Sequence, residues 1–158
     1  ANDLFPKETI NLKAIADEAI HELEDRALAQ HSTLHNRLPD SMEIVGNHNL
    51  AYCIFRNLIE NSLTYAGEGV DIVVGSYRED KDTVYLHCYD TGCGVANQHL
   101  GRLFDRFVRL DEGRSRKTGG TGLGLSIVKH AVLFHGGTIY AKNRDTGGLE
   151  YFFSMKTQ

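Results

Sequence analysis

No run of apolar residues in this chain approaches the roughly 18 that a membrane span requires, and no basic-then-apolar leader opens it. The expectation is a stretch of protein with neither a span nor a signal peptide. Positive charge is also in short supply, with 17 Lys and Arg against 21 Asp and Glu and a net charge of −4. Bulk electrostatics therefore give no reason to expect nucleic acid or an anionic lipid surface as partner. Cysteine is scarce and odd in number, at 53, 88 and 93, which does not read as a disulfide framework and fits a reducing compartment. The eight histidines show no metal-finger spacing, and the chain has no internal repeat and no low-complexity tract.

What remains is the composition of one folded domain: 158 residues, 41% apolar and 24% charged. A chain of this length buries roughly two-thirds of its unfolded surface and needs no metal or disulfide staple. Glycine is unevenly spread, with 12 of the 16 falling between Gly92 and Gly148. Such crowding marks backbone in unusual conformations, or backbone approached closely by a ligand.

Apolar positions Leu12, Ile15, Ala19, Leu23 and Ala27 recur at helical steps, predicting a helix over 11–28 with Asn11 as its cap. Two short extended pieces follow, at His31–Arg37 and Met42–Val45, separated by Pro39. A second helix is expected over 48–65, burying Leu50, Ile54 and Leu58. Strands are expected at 70–77 and 83–90, joined by a charged hairpin, Arg78–Asp82. A helical piece, Gln98–Phe104, interrupts a glycine- and charge-rich stretch over 91–120. A third helix should cover Gly122–Phe134, and a closing hairpin pairs 137–142 with 149–155. The fold class is α/β: a helix layer on a mixed sheet of about five strands, with one long irregular segment of the kind that usually carries function.

Four places carry chemistry. On the second helix Asn57, Asn61 and Thr64 fall within about 60° of one another, a polar stripe on an otherwise apolar helix. Carboxamides beside buried neighbours must be hydrogen-bonded or must bind something. Their oxygens suit Mg²⁺, which takes few protein ligands and completes its shell with water and phosphate; bonds to nearby backbone are the alternative. In TVYLHCYD the parity of Val84, Leu86 and Cys88 turns Asp90 toward the core, where a carboxylate needs donors. Gly92 and Gly94 follow at once, so Asp90 could read an adenine amino group or cap its own turn. In GGTGLGLSIVKH, residues 119–130, Gly119, Gly120, Gly122 and Gly124 lead into a helix whose free N–H groups form an anion site. This is neither a Walker A loop nor a dinucleotide fingerprint. The segment RLFDRFVRLDEGRSRK, residues 102–117, carries six basic residues against three acids. Phe104 and Phe107 could pin that segment to the body, or it is a solvated charged loop.

Taken in order, these motifs resemble the ATP-binding catalytic domain of bacterial sensor histidine kinases, over essentially the whole chain. NLIENSLTY (57–65) is similar to that family's N box, DTGCG (90–94) to its G1 box, RLFDRF (102–107) to its F box and GGTGLGLSIVKH to its G2 box. The resemblance implies the Bergerat, or GHKL, fold: a two-layer sandwich with a mostly antiparallel mixed sheet, three helices and a mobile lid over ATP. It implies that Asp90 accepts the adenine amino group, that Asn61 with Asn57 holds Mg²⁺, and that Tyr65 lies against the base. Gly92 and Gly94 would shape the adenine pocket. Gly120, Gly122 and Gly124, with Leu123 and Leu125, would present amides to the phosphates. Arg106, Arg109 and Lys117 would neutralise phosphate charge, Asn61, Arg106 and Arg109 being the residues closest to the transfer itself. The family usually carries lysine where this chain has Thr64, so that phosphate contact is missing or supplied by the lid arginines.

The resemblance further implies phosphoryl transfer to a histidine on an upstream dimerisation hairpin, then to an aspartate of a response regulator. His21-Glu22-Leu23 begins like a phosphoacceptor box but lacks its later residues and proline, so residues 1–158 are expected to be a single catalytic domain without its acceptor. Sensor and transmembrane parts would lie elsewhere in a membrane-anchored parent, this part would be cytosolic, and the isolated chain would be a monomer. Two other classes stand beside the kinase. A GHKL hydrolase carries a water-activating glutamate where this chain has Asn57, and Glu60 points away from that position. A nucleotide-sensing module without transfer is favoured by Thr64 alone.

Overall fold

The computed structural model describes residues 4–105 and 124–158. In chain order these form β1 (Glu8–Asn11), α1 (Leu12–Ala29), β2 (Thr33–Asn36), β3 (Glu43–Gly46), α2 (His48–Tyr65), β4 (Asp71–Glu79), β5 (Thr83–Asp90), α3 (Asn97–Leu100), α4 (Gly124–Phe134), β6 (Ile139–Asn143) and β7 (Leu149–Lys156). Both long helices start where the sequence supplies a cap. The Asn11 side chain accepts from the Ala14 N–H at 2.9 Å, and the Asn47 side chain accepts from the Leu50 N–H at 2.9 Å. Each satisfies a donor that the helix itself leaves unpaired.

The main sheet runs β2-β4-β5-β7-β6, with β2 parallel to β4 and the other neighbours antiparallel. One face meets the helices. Strand alternation sends Ile72 and Val74 of β4, Val84, Leu86 and Cys88 of β5, and Leu149, Tyr151, Phe153 and Met155 of β7 into the core. Helix α2 lies between α1 and α4, and its Phe55 meets Phe153 edge-on at 6.2 Å between ring centres. The opposite face carries a belt of rings: Tyr77 against Tyr85, His87 and Phe152, and Tyr140 stacked on Phe152.

The expected long helices and the hairpins are present with small shifts of boundary, but the helical piece expected over Gln98–Phe104 is a single turn, Asn97–Leu100, ended at Gly101, and Leu50 is half-buried rather than fully buried. The expected start of the third helix at Gly122 and the segment over 106–120 lie outside the described residues. One strand was not expected. β1 pairs antiparallel with β3, Ile10 opposite Ile44, in a separate two-stranded sheet. Four residues with a single fully buried side chain give no alternation to read, and the partner lies some 35 residues downstream. Among the described residues no helix is long and apolar enough to cross a membrane.

Candidate functional site

An open cleft of about 240 Å³ lies where the C-terminal half of α2 meets the ends of β5 and β7. Asn61, Ser62, Tyr65, Ala66, Asp90, Gly94, Val95, Leu149 and Tyr151 line it. The alternation of β5 carries Asp90 to its floor, where the side chain is 3% exposed. Its Oδ1 accepts from the N–H groups of Gly92 at 3.0 Å and Leu149 at 3.3 Å, and its Oδ2 accepts from the Ser62 hydroxyl at 3.1 Å. The Gly92 bond is the turn cap the sequence allowed as an alternative. It does not use up the carboxylate, because Oδ2 keeps an acceptor site for a further donor.

Two glycines are fixed here by space. A β-carbon on Gly92 would lie 2.3 Å from the Ala66 carbonyl oxygen, so the turn after Asp90 touches the end of α2 only as glycine. Gly148 has φ +99, and a β-carbon there would lie 1.9 Å from the Asp90 carbonyl oxygen. Gly94 lines the cleft, and the Asn143 side chain clamps the next residue, accepting from the Val95 N–H at 2.9 Å and donating to its carbonyl at 2.6 Å.

The two asparagines of α2 are held differently but to the same effect. Asn57 Nδ2 donates to the Cys53 carbonyl at 2.7 Å, the backbone bond that the sequence left open for it. Asn61 Nδ2 donates to the Tyr151 hydroxyl at 2.5 Å. In both, the amino end is occupied, and among the described residues no donor meets the carbonyl end. Asn57 Oδ1 faces the start of α4, where a β-carbon on Gly124 would lie 3.1 Å away, and Leu125 beside it is half-buried. Among the described residues no group of three or more His, Cys, Asp or Glu could hold a metal ion. A hard cation here would therefore rest on amide oxygens, water and ligand phosphate, which is how Mg²⁺ is usually held.

Thr64 departs from the stripe expected on α2. Its hydroxyl donates to the Glu60 carbonyl at 2.9 Å and accepts from Arg26 Nη2 at 2.8 Å, so it faces α1 and not the cleft. A short hydroxyl side chain bonds back to the preceding turn and stays close to its own helix. Glu60, expected to point away, pairs with Arg26 at 3.6 Å and Arg56 at 3.2 Å. Tyr65 is half-buried on the cleft wall, and Phe104 packs edge-on against Tyr151 at 6.1 Å. His21 is almost fully exposed on α1, its Nδ1 3.8 Å from Glu24. Arg106, Arg109, Lys117, Gly120, Gly122 and Leu123 lie outside the described residues.

Sequence reasoning missed Ser62, Leu149, Asn143 and Tyr151. Ser62 was available as a hydroxyl beside Asn61 on the same helix. The other three sit on the closing hairpin, 48 to 90 residues from their partners, and only the fold brings them in.

Residues 46–158 match the family model described as histidine kinase-, DNA gyrase B-, and HSP90-like ATPase. The sensor-like histidine kinase SenX3 of Mycolicibacterium smegmatis is 33% identical over 148 residues, which is 94% of this chain and 38% of that protein. The signal transduction histidine-protein kinase BaeS of Escherichia coli is 34% identical over 145 residues, 92% of this chain and 31% of that protein. The chain thus spans between about a third and two-fifths of these relatives. The solved mycobacterial sensor histidine kinase MprB superposes with a TM-score of 0.83 at 22% identity, covering 96% of this chain and 99% of that one.

Proposed function

We propose that this chain, which belongs to the histidine kinase-, DNA gyrase B- and HSP90-like ATPase family, is the ATP-binding catalytic domain of a sensor histidine kinase. In this reading it binds ATP with Mg²⁺ in the cleft beside α2. The γ-phosphoryl group passes to a histidine on an upstream dimerisation hairpin of the longer protein, and from there to a response-regulator aspartate. The observation that carries the reading is the buried carboxylate of Asp90, with an open acceptor site, lying in one cleft with Asn61, whose amide oxygen meets no donor among the described residues.

Each residue has a distinct task. Asp90 Oδ2 accepts the adenine amino hydrogen, and Gly94 and Tyr65 bound the space for the base. Asn61, with Asn57, holds the cation through Oδ1. Gly124 and Leu125 at the head of α4, with Gly120, Gly122 and Leu123 before them, offer amides to the phosphates. Arg106, Arg109 and Lys117 supply positive charge. Mg²⁺, when bound, neutralises the phosphate oxygens and so lowers the barrier to in-line displacement. What the protein contributes is placement and charge stabilisation, since phosphoryl transfer needs little covalent help. Hydrolysis is disfavoured because Asn57 cannot take a proton from water and the Glu60 carboxylate is paired with two arginines.

The remaining assignments belong to the same reading: residues 1–158 as one catalytic domain, the nucleotide site on the cytosolic side of a membrane-anchored parent, and no dimer contact made by this part alone. The test is to mix γ-labelled ATP with this chain and its native upstream hairpin. Acid-labile, alkali-stable label on the hairpin is expected. Label released as free phosphate without a protein-bound intermediate would make the chain a hydrolase, and label remaining on ATP would make it a nucleotide-binding module.

A further inference from the structure

Tyr151 is the third residue of β7, opposite Cys88 on one side and Ala141 on the other, with no exposed surface. Its ring fills core volume between Phe104 and the sheet, a task phenylalanine would perform equally well. The hydroxyl is therefore what needs explaining, since burying it costs free energy unless it is bonded. It is bonded to the Nδ2 of Asn61, on a different layer of the fold and 90 residues away.

A carboxamide has two nearly isosteric ends, and only the oxygen can ligate a cation. For Asn57 the choice of end is settled by its own helix, through the Cys53 carbonyl four residues back. Among the described residues the Asn61 amide makes no such bond to its own helix; its amino end is turned toward β7 by the phenol. We propose that Tyr151 is a positioning residue that selects the orientation of the Asn61 carboxamide, so that Oδ1 rather than Nδ2 faces the cation accompanying the nucleotide. This rests on the assignment of Asn61 to the metal site made above. The hydroxyl oxygen accepts from the amide at 2.5 Å and so holds the amino end away from the cleft.

The test uses Tyr151→Phe, which keeps the ring and removes the oxygen. Binding of a non-hydrolysable ATP analogue is titrated with Mg²⁺, and ADP binding is measured without Mg²⁺. The variant should need roughly 2- to 10-fold more Mg²⁺ for the same analogue affinity, the value of one hydrogen bond, while Mg²⁺-free ADP affinity stays within about twofold. Asn61→Ala should show at least as large a rise in the Mg²⁺ requirement, and adding Tyr151→Phe to it should cost nothing more. An unchanged Mg²⁺ requirement in Tyr151→Phe, with Asn61→Ala impaired, would overturn the positioning role and leave the metal assignment standing. Equal loss of Mg²⁺-free ADP binding would make Tyr151 a wall of the cleft only. An unchanged Mg²⁺ requirement in Asn61→Ala would remove both. In the unmodified chain, NMR should show contacts between the Asn61 side-chain amide protons and the Tyr151 ring that persist on adding Mg²⁺; their absence would also overturn the proposal, whether or not the variant folds.

Discussion

Helix α2 carries polar clusters on two sides, and they are built on opposite terms. Toward the sheet, Ser62 and Asp90 are buried, bonded to each other and to fixed backbone, with Asn61 and Tyr151 alongside. Toward α1, Glu60, Arg26, Arg56 and Glu22 form ion pairs whose side chains keep between 31% and 53% of their surface in solvent. The second cluster has more formal charge, yet the first is the one that cannot lose a member cheaply. A buried group stripped of its partner bears its full desolvation cost, whereas an exposed pair exchanges one set of water contacts for another. The buried side is therefore the more sensitive to substitution, and the exposed side mainly steadies two helices.

The largest effect is expected from Asp90→Asn. Turning a pure acceptor into a group with a donor end sets an N–H₂ against the Ser62 hydroxyl and the incoming adenine amino group. Nucleotide affinity should fall by about 1–3 kcal/mol, roughly 5- to 150-fold, as read by calorimetric titration. An affinity within twofold of the parent chain would show that the buried cluster does not read the base.

Gly148→Ala acts on the same cluster through its frame, driving a β-carbon onto the Asp90 carbonyl oxygen at a positive φ. A loss of about 1–3 kcal/mol in urea unfolding is expected.

His135 extends the contrast to pH. It is buried, its Nε2 accepting from the Asn47 N–H at 3.1 Å and its Nδ1 lying 2.8 Å from the Ala131 carbonyl, to which it donates in the neutral tautomer. Burial holds its pKa below the ordinary value. The unfolded chain therefore takes up the proton first, so this contribution is complete above about pH 6.5 and is lost as pH falls below it. Denaturation midpoints measured from pH 8 to 5 should decline in the acid half, and His135→Asn should flatten that decline at the cost of a lower plateau.

The smallest effect belongs to the exposed side. Glu60→Gln should cost less than about 1 kcal/mol, and the difference should shrink in 1 M salt. Thermal melts at two salt concentrations check it.

Much of this contrast was legible before any coordinates. Strand parity placed Asp90 in the core, the cap asparagines and apolar spacing gave both long helices, and Asn57 and Asn61 stood out as amides on an apolar helix. The misreadings share a cause. Helical spacing put Thr64 beside the asparagines, but its short hydroxyl bonds to its own backbone and to Arg26, 38 residues earlier. Tyr151 lay unremarked in the expected strand over 149–155, because a strand pattern does not report what a polar tip touches. β1 depends on pairing with β3 and has no pattern of its own. Local chemistry is written locally, and bonds between distant segments are not.

The central claim is that the Asp90 cleft binds adenine and that the asparagine oxygens respond to the accompanying cation. The most direct measurement is an NMR titration of the chain with ATP, first without and then with Mg²⁺, repeated with GTP. The account predicts that ATP alone shifts the resonances of Asp90, Gly94 and Val95, that Mg²⁺ then moves the side-chain amides of Asn57 and Asn61, and that GTP leaves the first group nearly still. Equal shifts with ATP and GTP, or shifts confined to residues away from this cleft, would contradict it.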